Sequence, residues 1–155
     1  MRRLAQHHLP VTLAVSLHAP DDDLRETLVP LNRRYPINSI LDAAREYAAI
    51  KGRRVTFEYA CIAGVNDLPD QAEALARRLT GLRGGAHVNL IPLNPTGEFQ
   101  GQAPDRARIN RFAARLAAAG VTVTVRHNRG VDIDAACGQL RARTSSAAPS
   151  ARMVP

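Results

Sequence analysis

Short apolar runs of period two alternate along this chain with longer stretches of period three to four, and the alternation repeats from end to end. Val11–Leu17 (VTLAVSL) is a β-branched apolar run of strand length. His18-Ala19-Pro20 ends it, and Asp21 is placed to cap a short helix with Leu24 and Leu28 inward, which Pro30 stops. Ile37, Ile40, Leu41, Ala44 and Ala48 then recur at helical spacing, with Gly52 as the C-terminal stop. Arg53–Ile62 alternates: Val55, Phe57, Tyr59 and Cys61 share one face, Thr56 and Glu58 the other, as in a strand. A loop, Ala63–Pro69, leads to a helix with Ala72, Leu75, Ala76, Leu79 and Leu82 on one side.

The same sequence of elements follows again. His87–Pro92 reads as a strand, Asn94–Pro104 as a Gly/Pro-rich loop, and Asp105–Ala119 as a helix with Ile109, Phe112, Ala113 and Leu116 inward. Gly120 closes that helix, and Val121–Val125 (VTVTV) is a fourth strand. Residues 141–155 carry no periodicity and are expected to be a disordered tail behind a domain formed by 1–140. Four strands alternating with helices predict an α/β fold of parallel βα units. Such a sheet is expected to be buried on both faces, with functional residues beyond the C-terminal strand ends. A closed (β/α) barrel takes about 250 residues, so this chain supplies about half of one. Four parallel strands would leave open edges, which points to a fragment of something larger.

Composition narrows the classes. Apolar residues are 45% and charged residues 23%, which is too apolar for a disordered chain. No apolar run reaches the roughly 18 residues of a membrane span, and MRRLAQHHLP lacks the apolar core of an export signal. A cytoplasmic protein with no membrane partner is expected. The net charge of +7 favours a polyanionic partner such as RNA, although Lys51 is the single lysine and an arginine bias can also follow from genome composition. Cys61 and Cys137 stand in no CxxC spacing, so reduced thiols are expected and a self-contained zinc or iron–sulfur site is not.

Polar residues at the strand ends form the candidate site. Ser16 and His18 are two apart and share one sheet face, while Val15 and Leu17 take the other. Glu58 lies on the less apolar face of the second strand, Asn94 follows the third, and Arg126, Arg129, Asp132, Asp134 and Cys137 follow the fourth. Each also has a purely structural reading. His18 can bond nearby backbone, Glu58 can pair with a neighbouring arginine, and Asn94 before Pro95 can simply form a turn. Cys61, beside Phe57 and Tyr59, reads as an inert core thiol. Cys137, in Ala-Ala-Cys-Gly between acids and arginines, is the better candidate for reactivity.

Four segments in order carry a resemblance: LAVSLHAPDDDLRETLVPLNRRYPI, GRRVTFEYACIAGVND, VNLIPLNP and DIDAACGQL. From Leu13 to Leu140 the chain resembles the C-terminal half of the radical SAM ribosomal RNA adenine C2-methyltransferases, whose relatives include C8-methylating resistance enzymes. The resemblance implies about half of a radical SAM (β/α) partial barrel. It also implies a reaction in which Cys137 is methylated by one S-adenosylmethionine. A reduced [4Fe–4S] cluster then cleaves a second, and the methyl-derived radical adds to an adenine of 23S ribosomal RNA or of transfer RNA. Ser16, Leu17, His18 and Asn94 match the family's S-adenosylmethionine contacts.

The departures are equally specific. The cluster-binding CxxxCxxC motif, the Gly-Glu segment of the early strands and the second catalytic cysteine have no counterpart here, and no residue of this chain is expected to bind metal. The chain is therefore expected to be inactive alone and to need a missing N-terminal half. His127-Asn128-Arg129-Gly130-Val131-Asp132 stands where the family has RTRGDD, and Thr96-Gly97-Glu98 lacks the usual second proline. C2 and C8 methylation are not separated by these residues. A non-catalytic basic RNA-binding α/β module is the alternative of a different class.

Overall fold

The computed structural model describes residues 1–82, 84–93 and 101–126. After a single-turn helix α1 (Arg2–Ala5), the described elements are β1 (Ala14–Ser16), α2 (Asp22–Leu28), a 3₁₀ turn (Pro30–Arg33), α3 (Ile37–Lys51) and β2 (Val55–Cys61). α4 (Pro69–Leu79), β3 (Ala86–Pro92), α5 (Arg106–Ala118) and β4 (Thr122–Val125) complete the order. The four strands pair in the order β1-β2-β3-β4, parallel throughout. That is the βα succession the periodicity predicts, laid out as a sequential open sheet.

Local chemistry sets the boundaries. Asp21 caps α2 by accepting from the Leu24 amide at 2.8 Å, and Asp105 caps α5 by accepting from Arg108 at 2.7 Å. Gly52 ends α3 in the left-handed conformation (φ 63°), which a glycine adopts without steric cost. β1 is shorter than the expected Val11–Leu17. Val11 donates locally to Leu9 and its carbonyl is taken by the Tyr47 hydroxyl at 2.7 Å, so it is diverted from the sheet. Ladder bonds from Thr56 to the Leu13 carbonyl and from Leu17 to the Glu58 carbonyl mark the limits of pairing. α2 also departs from expectation, because Arg25 is its buried residue while Leu24 and Leu28 are half-exposed.

The core lies on one side of the sheet. Val55, Phe57, Tyr59 and Cys61 of β2 and Ala86, Val88 and Leu90 of β3 are buried against Leu41, Ala44, Tyr47, Leu75, Phe112 and Leu116 of the helices. Tyr59 and Phe112 stack with ring centroids 5.3 Å apart. The alternate residues of both strands are only half-buried. Burial on both faces, the expectation for a parallel sheet, is therefore corrected. Thr56, Glu58, His87, Asn89, Thr122 and Thr124 make the second face polar, and no described helix covers it. The proposed tail, 141–155, and the 127–140 segment carrying Cys137 lie outside the described residues.

Candidate functional site

Register aligns the open face into rows. Ala14, Thr56, His87 and Thr122 form one row across the sheet, and Ser16, Glu58, Asn89 and Thr124 form the next towards the C-terminal ends. Side-chain bonds knit these rows: Thr56 Oγ1 to His87 Nδ1 at 3.2 Å, His87 Nε2 to Thr124 Oγ1 at 2.9 Å, and Asn89 Nδ2 to Glu58 Oε2 at 2.7 Å. The expected structural partner of Glu58 was an arginine; its partner is Asn89, directly opposite on the neighbouring strand. Burial lowers the pKa of His87, Arg54 lowers it further, and Glu58 works in the opposite direction.

Above these rows sits the Ser16-Leu17-His18 segment. Alternation holds to Leu17, which is fully buried, and then His18 leaves the strand conformation with φ 64°. A side chain other than glycine pays for that backbone conformation, so it persists only where neighbours enforce it. They do so twice. Arg25 donates from Nη2 to the Ser16 carbonyl at 3.1 Å and from Nε to the Leu17 carbonyl at 2.9 Å. Its Nη1 reaches Asn32 Oδ1 at 2.7 Å and the Tyr35 carbonyl at 3.2 Å. The guanidinium is thus a buried fork holding the end of β1. Asn66, fully buried, donates from Nδ2 to the His18 carbonyl at 2.8 Å and to the Ala60 carbonyl at 2.7 Å.

The His18 ring bonds backbone, as its structural reading anticipated: the Ala60 amide donates to Nδ1 at 3.0 Å. Burial lowers its pKa, the Arg25 charge adds to the lowering, and Glu58 opposes it. Cys61 is fully buried, and burial pushes its thiol up to about 12, which removes the thiolate that reactivity requires. The inert reading of Cys61 holds.

Beside the free edge of β1 runs an open groove of about 540 Å³ lined by Val15, Ser16, Arg25, Tyr35 and Ile40, among others. Of the residues expected at the site, the structure brings Ser16, Leu17 and His18, at the end of β1, beside β2, where mid-strand Glu58 is the register partner of Ser16 and the Ala60 amide meets the His18 ring. Arg126 ends the described chain, its amide donating to the Leu90 carbonyl at 2.8 Å. Asn94, Arg129, Asp132, Asp134 and Cys137 lie outside the described residues. Arg25 and Asn66 were missed by sequence reasoning. Arg25 stands among the acids of Asp-Asp-Asp-Leu-Arg-Glu and Asn66 in the loop Ala63–Pro69, and neither pattern signals burial.

No family model matches the chain. Individual relatives do. It is 60% identical over 144 residues to a probable dual-specificity RNA methyltransferase RlmN from Parafrankia, matching 92% of this chain and 36% of the relative. A Picosynechococcus protein of the same name is 51% identical over 150 residues, 97% of this chain and 43% of that one. The crystal structure of a radical SAM methyltransferase from Sphaerobacter thermophilus superposes with a TM-score of 0.84 at 60% identity, over 88% of this chain and 40% of that one. The chain is a homologue of part of the RlmN-type RNA methyltransferases. It spans 36–43% of the length of these two RlmN relatives. A domain of pyruvate-formate lyase-activating enzyme from Bacteroides vulgatus shares the fold alone, with a TM-score of 0.61 at 20% identity. The expected half of a radical SAM partial barrel is the fold observed. Among the described residues, no helix is long and apolar enough to cross a membrane.

Proposed function

We propose that this RlmN homologue supplies part of the S-adenosylmethionine site and the methyl-carrying cysteine of a radical SAM RNA methyltransferase. Its substrate is an adenine of 23S ribosomal RNA, with transfer RNA as a second substrate class. The observation that supports this most is the held end of β1. Ser16, Leu17 and His18 match the family's ligand contacts, and both the Ser16 and the Leu17 carbonyls are already taken by Arg25, so the segment is fixed before any ligand arrives. Ser16 keeps an exposed hydroxyl beside Glu58, and His18 keeps a ring nitrogen for the ligand. Asn94 adds a further polar contact. S-adenosylmethionine supplies a sulfonium-activated methyl group, and the Cys137 sulfur is the acceptor that carries it towards the base.

The [4Fe–4S] cluster does not fit the residues here. The sequence has two cysteines, one of them buried in the core, whereas the family's CxxxCxxC motif supplies three closely spaced thiolates. No group of three or more His, Cys, Asp or Glu among the described residues could hold a metal ion. The cluster ligands belong to polypeptide outside these 155 residues, and the edge of β1, which pairs with no further strand among the described residues, is with its adjoining groove the surface at which further barrel units would join. Ribosomal and transfer RNA substrates imply a cytoplasmic site of action.

The test joins this chain to the remaining portion of the Parafrankia relative. Cys137→Ala is expected to abolish RNA methylation while leaving iron content intact, and Cys61→Ala to retain activity. Mass spectrometry of the active chimera should find the peptide containing Cys137 heavier by one CH₂. An unmodified peptide during turnover, or a dead Cys61 variant beside an active Cys137 one, would overturn the assignment.

A further inference from the structure

The buried Asn66 side chain makes three hydrogen bonds at one place. Its Oδ1 accepts from the Ile62 amide at 2.7 Å, and its Nδ2 is divided between the carbonyls of His18 and Ala60. Its own carbonyl accepts from the Tyr59 hydroxyl at 2.8 Å, and its amide closes the turn onto Ile62. Asn66 therefore ties three things together: the left-handed His18 backbone, the end of β2, and the Gly-Val-Asn-Asp turn. The same Ala60 whose carbonyl it holds donates its amide to the His18 ring. A backbone N–H can only donate, so Nδ1 must be the unprotonated nitrogen, and the ring hydrogen of the neutral form sits on Nε2. Among the described residues Nε2 has no hydrogen-bond partner, in contrast to His87, whose two nitrogens both meet threonine hydroxyls.

We propose that Asn66 is a positioning residue that fixes His18 as a neutral, Nε2–H hydrogen-bond donor, so that the site receives an acceptor atom of its ligand at this point. Naming the ligand as S-adenosylmethionine rests on the function proposed above; the state of the ring does not. His18 then works neither as a cation nor as a proton carrier. The charged groups acting on the ring fit that state: Arg25 on α2 disfavours an imidazolium, and Glu58 on β2, already bonded to Asn89, opposes it only in part.

Histidine-selective ¹⁵N labelling of the chain, with long-range ¹H–¹⁵N spectra from pH 5 to 8, tests this directly. His18 is expected to stay in the single Nε2–H tautomer across that range. Asn66→Asp keeps the acceptor for Ile62 and loses the donor for His18, so its His18 signal should pass to mixed tautomers. If that variant does not fold, the unsubstituted chain still decides: a protonated Nδ1, or a cationic His18 at pH 7, overturns the proposal. S-adenosylmethionine added to the same sample should move the Nε2 signal without changing the tautomer, and Asn66→Asp should weaken binding at least tenfold. Conversion of His18 to the charged form on binding contradicts the proposal. Absence of binding to a chain whose His18 is fixed as described counts against the proposed function instead.

Discussion

On the helix side of the sheet Phe57, Tyr59, Val88 and Leu90 are completely buried, whereas their immediate neighbours Glu58 and Asn89 remain half-exposed on the other side. Parallel strands are ordinarily covered on both faces and read as continuous apolar runs. Here β2 and β3 alternate as an antiparallel strand with one wet face would. In a closed βα barrel the second face becomes the interior, so polar rows at the C-terminal ends are the part of the fold available for ligands. The comparison teaches that one side of β2 and β3 is committed to the core and the other is left polar and accessible.

Substitution along β2 should expose that division first. Phe57→Ala is expected to cost about 3–5 kcal/mol in urea unfolding, while Glu58→Ala, one residue on, should change stability by less than about 1 kcal/mol. Equal costs would break the comparison. Next in size is Arg25→Met, which leaves the carbonyls of Ser16, Leu17 and Tyr35 without their donor and should cost about 3 kcal/mol. A neutral outcome would mean that the end of β1 is not held by Arg25. Cys61→Ala should cost about 1 kcal/mol, and a thiol reagent should reach Cys61 only after unfolding.

Acid titration separates the two sides more finely. Burial pushes the Asp67 carboxyl up, but Arg108, which donates to both oxygens at 2.6 and 2.7 Å, and the Gly64 amide outweigh it and hold the pKa below its ordinary value. That stability is present above the unfolded carboxylate pKa of about 3.9 and is lost as pH falls through the folded one. His18 and His87 are lowered too, so they bind fewer protons folded than unfolded, and stability should begin to fall below about pH 6.5. Asp67→Asn should remove the lower part of the acid limb and His18→Gln should diminish the upper part. An unchanged limb in both variants would contradict the assignment.

Much of this was legible in the residues. The alternation Val55-Phe57-Tyr59-Cys61 and the helical spacing of Ile37-Ile40-Leu41-Ala44 report burial directly, because both periods follow from backbone geometry. Ser16-Leu17-His18 was legible as a strand end for the same reason. Arg25 and Asn66 were not, since their roles depend on carbonyls 6 to 48 positions away in the chain. A buried arginine in Asp-Asp-Asp-Leu-Arg-Glu carries the composition of a solvated helix, and only its acceptors, the Ser16, Leu17 and Tyr35 carbonyls and Asn32 Oδ1, explain its burial. The open polar face was visible as Thr56 and Glu58, but the general expectation for parallel sheets concealed it.

The central claim is that the polar strand ends around Ser16-Leu17-His18 receive S-adenosylmethionine. A ¹H–¹⁵N titration of the chain with that ligand tests it most directly. The amides of Leu17, His18, Ala60, Ile62 and Leu93 are expected to shift together and saturably, while those of α3, α4 and α5 stay in place. Shifts confined to the helix face, or none at ligand concentrations that saturate the Parafrankia relative, would contradict the account.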